Sequence, residues 1–460
     1  MLVSNLSSDA APCWLLQSAD CCLMLDFPLN YSPLYQARFI GKSGSAPRFK
    51  IPELDRVSDL GAVDAILVSN YQSFMGLPWL TESGEKWSGT IYCTKPTLEF
   101  ARINLLQLRA FCDEAENKAR ASNGVDNGAN LKMVSKAQIE KCLARVELIN
   151  FGETLSIFGA ASITPQSSGY SIGSCIWTIE LNQRRIIYMN DYSNLRTHCA
   201  KADIKQLGEA DLMILSGCKA ADQFSPDKSV HDVNMLTVAA LKNQENVMFP
   251  VFPSGIILDL LEIVMDLLER ERLGSVPIYY IAPYAKDALA HAQIYPEFLS
   301  LTKQNRASVP EFPFLHEEAL QTGKLKVFSH STEGLSDHFR GPAVIFTGHP
   351  SLELGEAADL AKKWSKSNKI LVTEPDLPQS LYREQPRLHY LPIDTRLTYG
   401  GAKMLLDELR PKELIISSKL APLSLKLSEI GDLKITQVAP YKTYSSGIDT
   451  ASSVSVMVGF

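Results

Sequence analysis

Few side chains of this sequence combine a reactive type with a spacing that chemistry can use. The eight histidines, at 198, 231, 291, 316, 330, 338, 349 and 389, form no His-x-His, His-x-x-x-His or His-Glu-x-x-His pair. A catalytic zinc takes three N, O or S donors from the protein and keeps one position open, and this spacing supplies no such set. His198 beside Cys199 and His349 in Phe-Thr-Gly-His-Pro stand out, and a surface or hydrogen-bonded role is the expectation for both. The nine cysteines contain no Cys-x-x-Cys and are odd in number, which reads as buried, reduced thiols rather than a disulfide framework. No Gly-x-Gly-x-x-Gly or Walker loop occurs, and Gly400-Gly401 reads as a turn before a helix. From Ile66 to Pro78 an apolar strand enters a turn whose interior holds Asn70, Gln72, Phe74 and Met75. Amide, aromatic and thioether groups are poor zinc ligands. Among carboxylates, Asp26 and Asp191 end apolar strands, and a lone strand-end aspartate such as Asp26 reads as a turn or cap residue.

The elements that would position these groups follow from length and patterning. At 460 residues the chain exceeds the size at which one core stops growing, so two domains are expected, and 45% apolar with 21% charged residues is globular. A net charge of -6 and a pI near 5.8 give no basic field for a phosphate backbone. Any RNA contact is expected to be indirect. No run approaches the ~18 apolar residues of a membrane span, and the N-terminus lacks a charged region followed by an apolar one. A soluble, non-secreted protein without a membrane partner is the expectation.

Strands are predicted at 22–27, 65–69, 89–93, 145–150, 154–158, 175–180 and 185–189 from short apolar or alternating runs. Pro96 opens a helix whose apolar side includes Leu98, Ala101, Leu105, Leu108 and Phe111, and Ser135 with Gln138 forms a capping box for a second. Between them, 115–130 lacks apolar periodicity and reads as a mobile surface loop. From Asp211 the rhythm becomes βα units, with strands at 212–215, 247–252, 277–282, 343–347 and 370–373. A helix over 255–273, with Ile256, Leu260, Val264, Leu267 and Leu268 facing the core, is closed by Gly274 in the C′ position. Such alternation signals a parallel sheet covered by helices. A helix over 401–409 and a strand over 413–417 complete the chain.

Several segments, in order and at compatible spacing, resemble the metallo-β-lactamase/β-CASP family of RNA-processing nucleases. Ser69, the turn after it and Gly76-Leu77-Pro78 resemble the family's metal-binding turn, with each ligand replaced and the turn about two residues short. Leu23-Met-Leu-Asp26-Phe resembles its first motif, and Ile187-Tyr-Met-Asn-Asp191-Tyr-Ser193 the segment carrying the metal-bridging aspartate. In Ser167-Ser-Gly-Tyr-Ser-Ile-Gly173, Tyr170 stands where the third motif has histidine. Ser216 takes the place of the first acidic residue of the insert, and Pro250-Val-Phe-Pro-Ser-Gly255 resembles a strand-to-helix turn. By the same carry-over Arg396 and Ser418 fall at the last two histidine positions. The wording of Phe346 to Leu352, Thr373-Glu-Pro-Asp376 and Pro392-Ile-Asp-Thr-Arg-Leu397 is that of non-catalytic family members.

This resemblance implies a metallo-β-lactamase αββα sandwich over 1–210, interrupted by an α/β β-CASP insert over 211–390 and resumed over 391–460. It implies a nuclear pseudoenzyme, with the cytoplasm as the alternative location, that has no catalytic residue, metal or cofactor. Its partner would be the catalytic endonuclease subunit of a complex that processes small nuclear RNA 3′ ends. The alternatives are the inactive paralogue of the polyadenylation machinery and an active zinc-dependent RNA endonuclease. Asp191 and Arg396 are expected to form an ion pair in the space of the lost metals, because a semi-buried carboxylate needs a substitute positive charge. The family's proteins continue into a C-terminal domain that grips the catalytic partner, and the sequence departs from that pattern at Phe460.

Overall fold

The computed structural model describes residues 1–7, 12–34, 49–52, 60–82, 87–121, 133–219, 225–309, 311–364, 368–377, 387–427 and 433–446. Three sheets organise them. In the first, Thr443–Ser445, Leu2–Asn5, Trp14–Gln17, Cys22–Leu25, Ala65–Leu67, Thr90–Cys93 and Val146–Leu148 lie side by side. The second runs from Lys434–Val438 through Glu413–Ser417, Leu212–Lys219, Arg184–Asp191, Cys175–Leu181 and Ala161–Ser167 to Leu155–Ile157, with Leu397–Thr398 beside Leu212–Lys219.

Alternation along the strands tells each sheet which way to face. Trp14 and Leu16 point into a core shared with Trp177, Ile179, Ile186, Tyr188 and Ile415 of the second sheet, whereas Leu15 points to the opposite side. Period-two patterning with both faces apolar is what a sheet buried on both sides requires. Helices Tyr399–Leu409 and Ala421–Leu427 cover the second sheet's outer face, and Lys95–Ala121 covers the first's. The outcome is an αββα sandwich.

The third sheet has six strands, all parallel, in the order Leu325–Phe328, Ile278–Ile281, Val344–Thr347, Val247–Pro250, Lys369–Val372 and Leu388–Tyr390. It forms the insert. Its core is continuous with that of the sandwich: Leu105, Leu108 and Phe111 of the helix Lys95–Ala121 belong to the same apolar cluster as Phe249, Leu261 and Val264. Gly348 and Gly355 make this approach possible, since a Cβ on either would lie 2.8 or 2.6 Å from the Phe111 ring. No described helix is long and apolar enough to cross a membrane.

Several expectations need correction. Leu212–Lys219 pairs in parallel with both Arg184–Asp191 and Glu413–Ser417, so the strand predicted to open the insert at 211 belongs to the sandwich. An apolar strand looks alike in either sheet, and the change of rhythm at 211 precedes the change of domain by one strand. Residues 115–121 continue the helix from Lys95, with Lys118 bound to Asp359 of the insert at 2.6 Å; the rest of the expected loop lies outside the described residues. The helix Ile257–Arg270 is ended by Arg272 in the left-handed region (φ 57) rather than by Gly274. Gly400 and Gly401 lie within the first turn of Tyr399–Leu409, where Thr398 caps by accepting from the Gly401 N–H.

Candidate functional site

The turn after Ala65–Leu67 folds as it does because Asn70 caps the short helix Tyr71–Phe74, its Oδ1 accepting from the Ser73 N–H at 3.0 Å. That cap directs the turn residues to different fates. The Asn70 Nδ2 donates to Asp191 Oδ2 at 2.9 Å. Gln72 donates to the Tyr71 hydroxyl at 3.3 Å, Phe74 is fully buried in the core, and Met75 is buried against the cleft described below. Asp191 ends its strand opposite Gly217, and glycine is required there: a Cβ would fall 2.6 Å from Asp191 Oδ1.

Asp191 opens onto a cleft of about 380 Å³ between sandwich and insert. Tyr170, Ser216, Cys218, Glu374, Asp376 and Arg396 line it. Arg396 reaches three carboxylates, each from a different segment. It takes a fork-like grip on Asp394 (Nε to Oδ1 3.0 Å, Nη2 to Oδ2 2.8 Å), lies 2.7 Å from Asp376, and stands 3.9 Å from Asp191. The expected partner is thus the most distant of three. Burial works against the guanidinium's charge, and the ring of carboxylates outweighs it, so Arg396 stays cationic. Burial pushes the Asp191 carboxyl up to about 6, with Arg396 and the Asn70 amide pulling the other way. Asp394 shows the opposite balance. Its burial is outweighed by Arg396, and its carboxyl is held below the usual range.

Asp26 sits elsewhere, at the strand end beneath the turn. It adopts φ 62, which aspartate tolerates better than most residues. Its carboxylate is fully buried and accepts from the Ser69 N–H at 2.7 Å, the Tyr188 hydroxyl at 2.7 Å and the Asn190 amide at 2.8 Å. Burial pushes it up to about 6 as well, offset by those donors. Ser418 begins a single 3-10 turn and is not among the residues lining the cleft, although Ser417 and Lys419 are. Sequence reasoning missed Glu374, Asp376 and Asp394 as members of the site. All three lay inside segments quoted for the resemblance, and only their convergence on Arg396 and the cleft was not readable. Burial pushes the Glu374 carboxyl up to about 8, the Phe252 N–H being its offsetting donor at 3.2 Å.

The family's two zinc ions do not fit this donor set. Asn70 is spent on its cap and on Asp191, Phe74 and Met75 are committed to apolar packing, and a guanidinium points at the remaining carboxylate. Among the described residues no group of three or more His, Cys, Asp or Glu is arranged to hold a metal. The two expected tempting histidines are hydrogen-bonded: His198 to Asp259 at 2.7 Å, and His349, buried, to the Ser351 hydroxyl at 2.9 Å. All nine cysteines are free thiols, eight of them buried and Cys218 half-buried.

Comparison with known proteins places this geometry in a lineage. A metallo-beta-lactamase superfamily domain matches residues 48–214 and a Beta-Casp domain residues 257–383. Integrator complex subunit 9 of Homo sapiens is 33% identical over 423 residues, covering 87% of this chain and 64% of that protein. The homolog in Dictyostelium discoideum is 31% identical over 420 residues, 82% of this chain and 58% of the relative. The endoribonuclease YSH1 of Mycosarcoma maydis is 22% identical over 394 residues, 80% of this chain and 42% of that protein. A crystal structure of a protein of unknown function from Enterococcus faecalis V583 shares the fold, with a TM-score of 0.53 at 11% identity over 96% of this chain and 99% of that one. The chain thus spans under two thirds of the length of these curated relatives. It carries a metallo-beta-lactamase superfamily domain followed by a Beta-Casp domain, and across most of its length it is similar to Integrator complex subunit 9.

Proposed function

We propose that the chain is a non-catalytic scaffold subunit of Integrator, located in the nucleus, that pairs with the catalytic endonuclease subunit. In this role it positions its partner for small nuclear RNA 3′-end processing and transcript attenuation, and touches RNA only indirectly. The observation that carries the reading is the fate of the first metal-binding turn. Asn70 there is engaged in capping, Gln72 donates to the Tyr71 hydroxyl, and Phe74 and Met75 are packed in the core. Function resides in the site rather than in the fold, and a site of this composition has no means to activate water. Within it, Arg396 takes over the electrostatic duty of the lost metals, compensating Asp191 while its closer grip on Asp394 and Asp376 ties the return segment to the insert.

Affinity purification of the tagged full chain from nuclear extract, read by mass spectrometry, tests the proposal. Recovery of Integrator subunits together with the endonuclease supports it. Recovery of cleavage and polyadenylation subunits in their place overturns it.

A further inference from the structure

Among the polar contacts that cross the apolar joint between sandwich and insert, the one at His198 engages several pieces of the insert at once. His198 leaves the sandwich in the loop after Arg184–Asp191 and is gripped by three pieces of the insert. Its backbone N–H donates to Asp259 Oδ1 at 3.0 Å, and its ring Nδ1 lies 2.7 Å from Asp259 Oδ2, so one carboxylate holds the residue twice. Its carbonyl accepts from the Ser300 N–H at 2.9 Å, beside the bridge between Cys199 and Leu299. Its ring packs 5.9 Å from that of Phe314. The side chain is only 2% exposed, which removes the competition of water.

We propose that His198 and Asp259 form a charged latch that holds the insert closed on the sandwich and so fixes the width of the cleft between them. Asp259 lies in the first turn of Ile257–Arg270, where the helix dipole attracts negative charge. A half-buried carboxylate at this place is stabilised by a cation, and the imidazolium is the one in reach. The other groups facing the latch are Cys199 on its own loop, Tyr71, Tyr170, Glu374 and Asp394 around the small void beside the ring, and Lys303 over the Phe314 ring at 3.9 Å, itself paired with Glu262. Glu374 is neutral below its raised value and Lys303 is already neutralised, so Asp259 dominates. Burial disfavours the charged ring, and Asp259 outweighs it, raising His198 well above the ordinary imidazole range. Opposing this, Nε2 is buried without a partner among the described residues.

Because the folded value is raised, the latch is fully set below the unfolded value of about 6.5. It is lost only as pH rises through the folded value. At neutral pH the joint stays closed, and alkali loosens it.

The test uses the full chain with 13C-labelled histidine, and the His198 signal is identified by its loss in His198→Gln. The latch requires that signal to titrate with a midpoint above the ordinary imidazole value of about 6.5. Hydrogen exchange in His198→Gln and Asp259→Asn should accelerate at least tenfold at 193–203, 257–270 and 299–301 and stay unchanged in Cys22–Leu25. A titration midpoint at or below about 6.5 overturns the proposal, as does wild-type exchange at the joint in folded variants. Should a variant unfold, the wild-type titration alone decides.

Discussion

Asp26 and Asp191, the two carboxylates that the sequence resemblance sets at metal-ligand positions, are accommodated in different ways. Both are pushed up to about 6 by burial. Asp26 is sealed from the cleft and answered by three neutral donors; Asp191 faces the cleft and is answered by one amide and a guanidinium shared with Asp376 and Asp394. A buried carboxylate can thus be stabilised by surrounding it with neutral donors or by setting a cation beside it. The first solution turns the residue into a structural pin. The second keeps an open, polar pocket.

The sharpest way to break this comparison is to remove Asp26. Asp26→Leu leaves the Ser69 N–H and the Tyr188 hydroxyl unpaired in a dry site and the Asn190 amide with the Ser73 hydroxyl alone. At roughly 1 to 3 kcal/mol for each orphaned group, the expected loss is about 4 kcal/mol, read from urea unfolding. A loss under about 1 kcal/mol would mean the nook repacks or hydrates, and the contrast with Asp191 would vanish.

Arg396→Leu comes next. It leaves Asp394 and Asp191 without their cation and should cost about 3 kcal/mol, less than Asp26 because Asp376 is 64% exposed and can turn to water. Double-mutant cycles rank its partners. Coupling to Asp394→Asn should be about 2 kcal/mol and coupling to Asp191→Asn about 1 kcal/mol, following the contact distances. Equal or reversed couplings would remove the case for Asp394 as the main grip.

The pH dependence is a smaller and more discriminating probe. For Asp26 and Asp191 the folded value, about 6, lies above the unfolded aspartate value. Their contribution to stability is therefore fully present below the unfolded value near 4 and lost as pH rises through about 6. Asp191→Asn should flatten the fall in unfolding free energy between pH 4 and 6 relative to the parent protein, by up to about 1.4 kcal/mol per pH unit. An unchanged slope would place Asp191 in its ordinary range. Glu374→Gln mimics the neutral acid: its effect should be near zero below the unfolded glutamate value of about 4.3, turn stabilising as pH rises through that value, and grow until it levels off above the folded value of about 8. Urea unfolding at pH 6 and pH 9 checks it.

Much of the fold was legible because its signals are local. The capping box at Ser135, the apolar side of the helix from Lys95 and the strand Glu413–Ser417 follow from propensity, capping and period alone. Leu2–Asn5 and Trp14–Gln17 were not read as strands, since four-residue apolar runs look alike in a strand or a buried turn. The sheet to which Leu212–Lys219 belongs depends on pairing with residues some two hundred positions away, which no local pattern encodes. In the site, motif order offered the degenerate positions as candidates. The tripod of carboxylates around Arg396 could not, because Asp376 and Asp394 are brought there by the insert's return path.

A pocket built around Arg396, as proposed above, holds no zinc. Elemental analysis of the purified full chain, folded in zinc-supplemented medium and then desalted, tests this directly. The account predicts far less than one zinc per chain and no change in thermal stability on adding a chelator. Near-equimolar zinc, with stability lost on chelation, would contradict it.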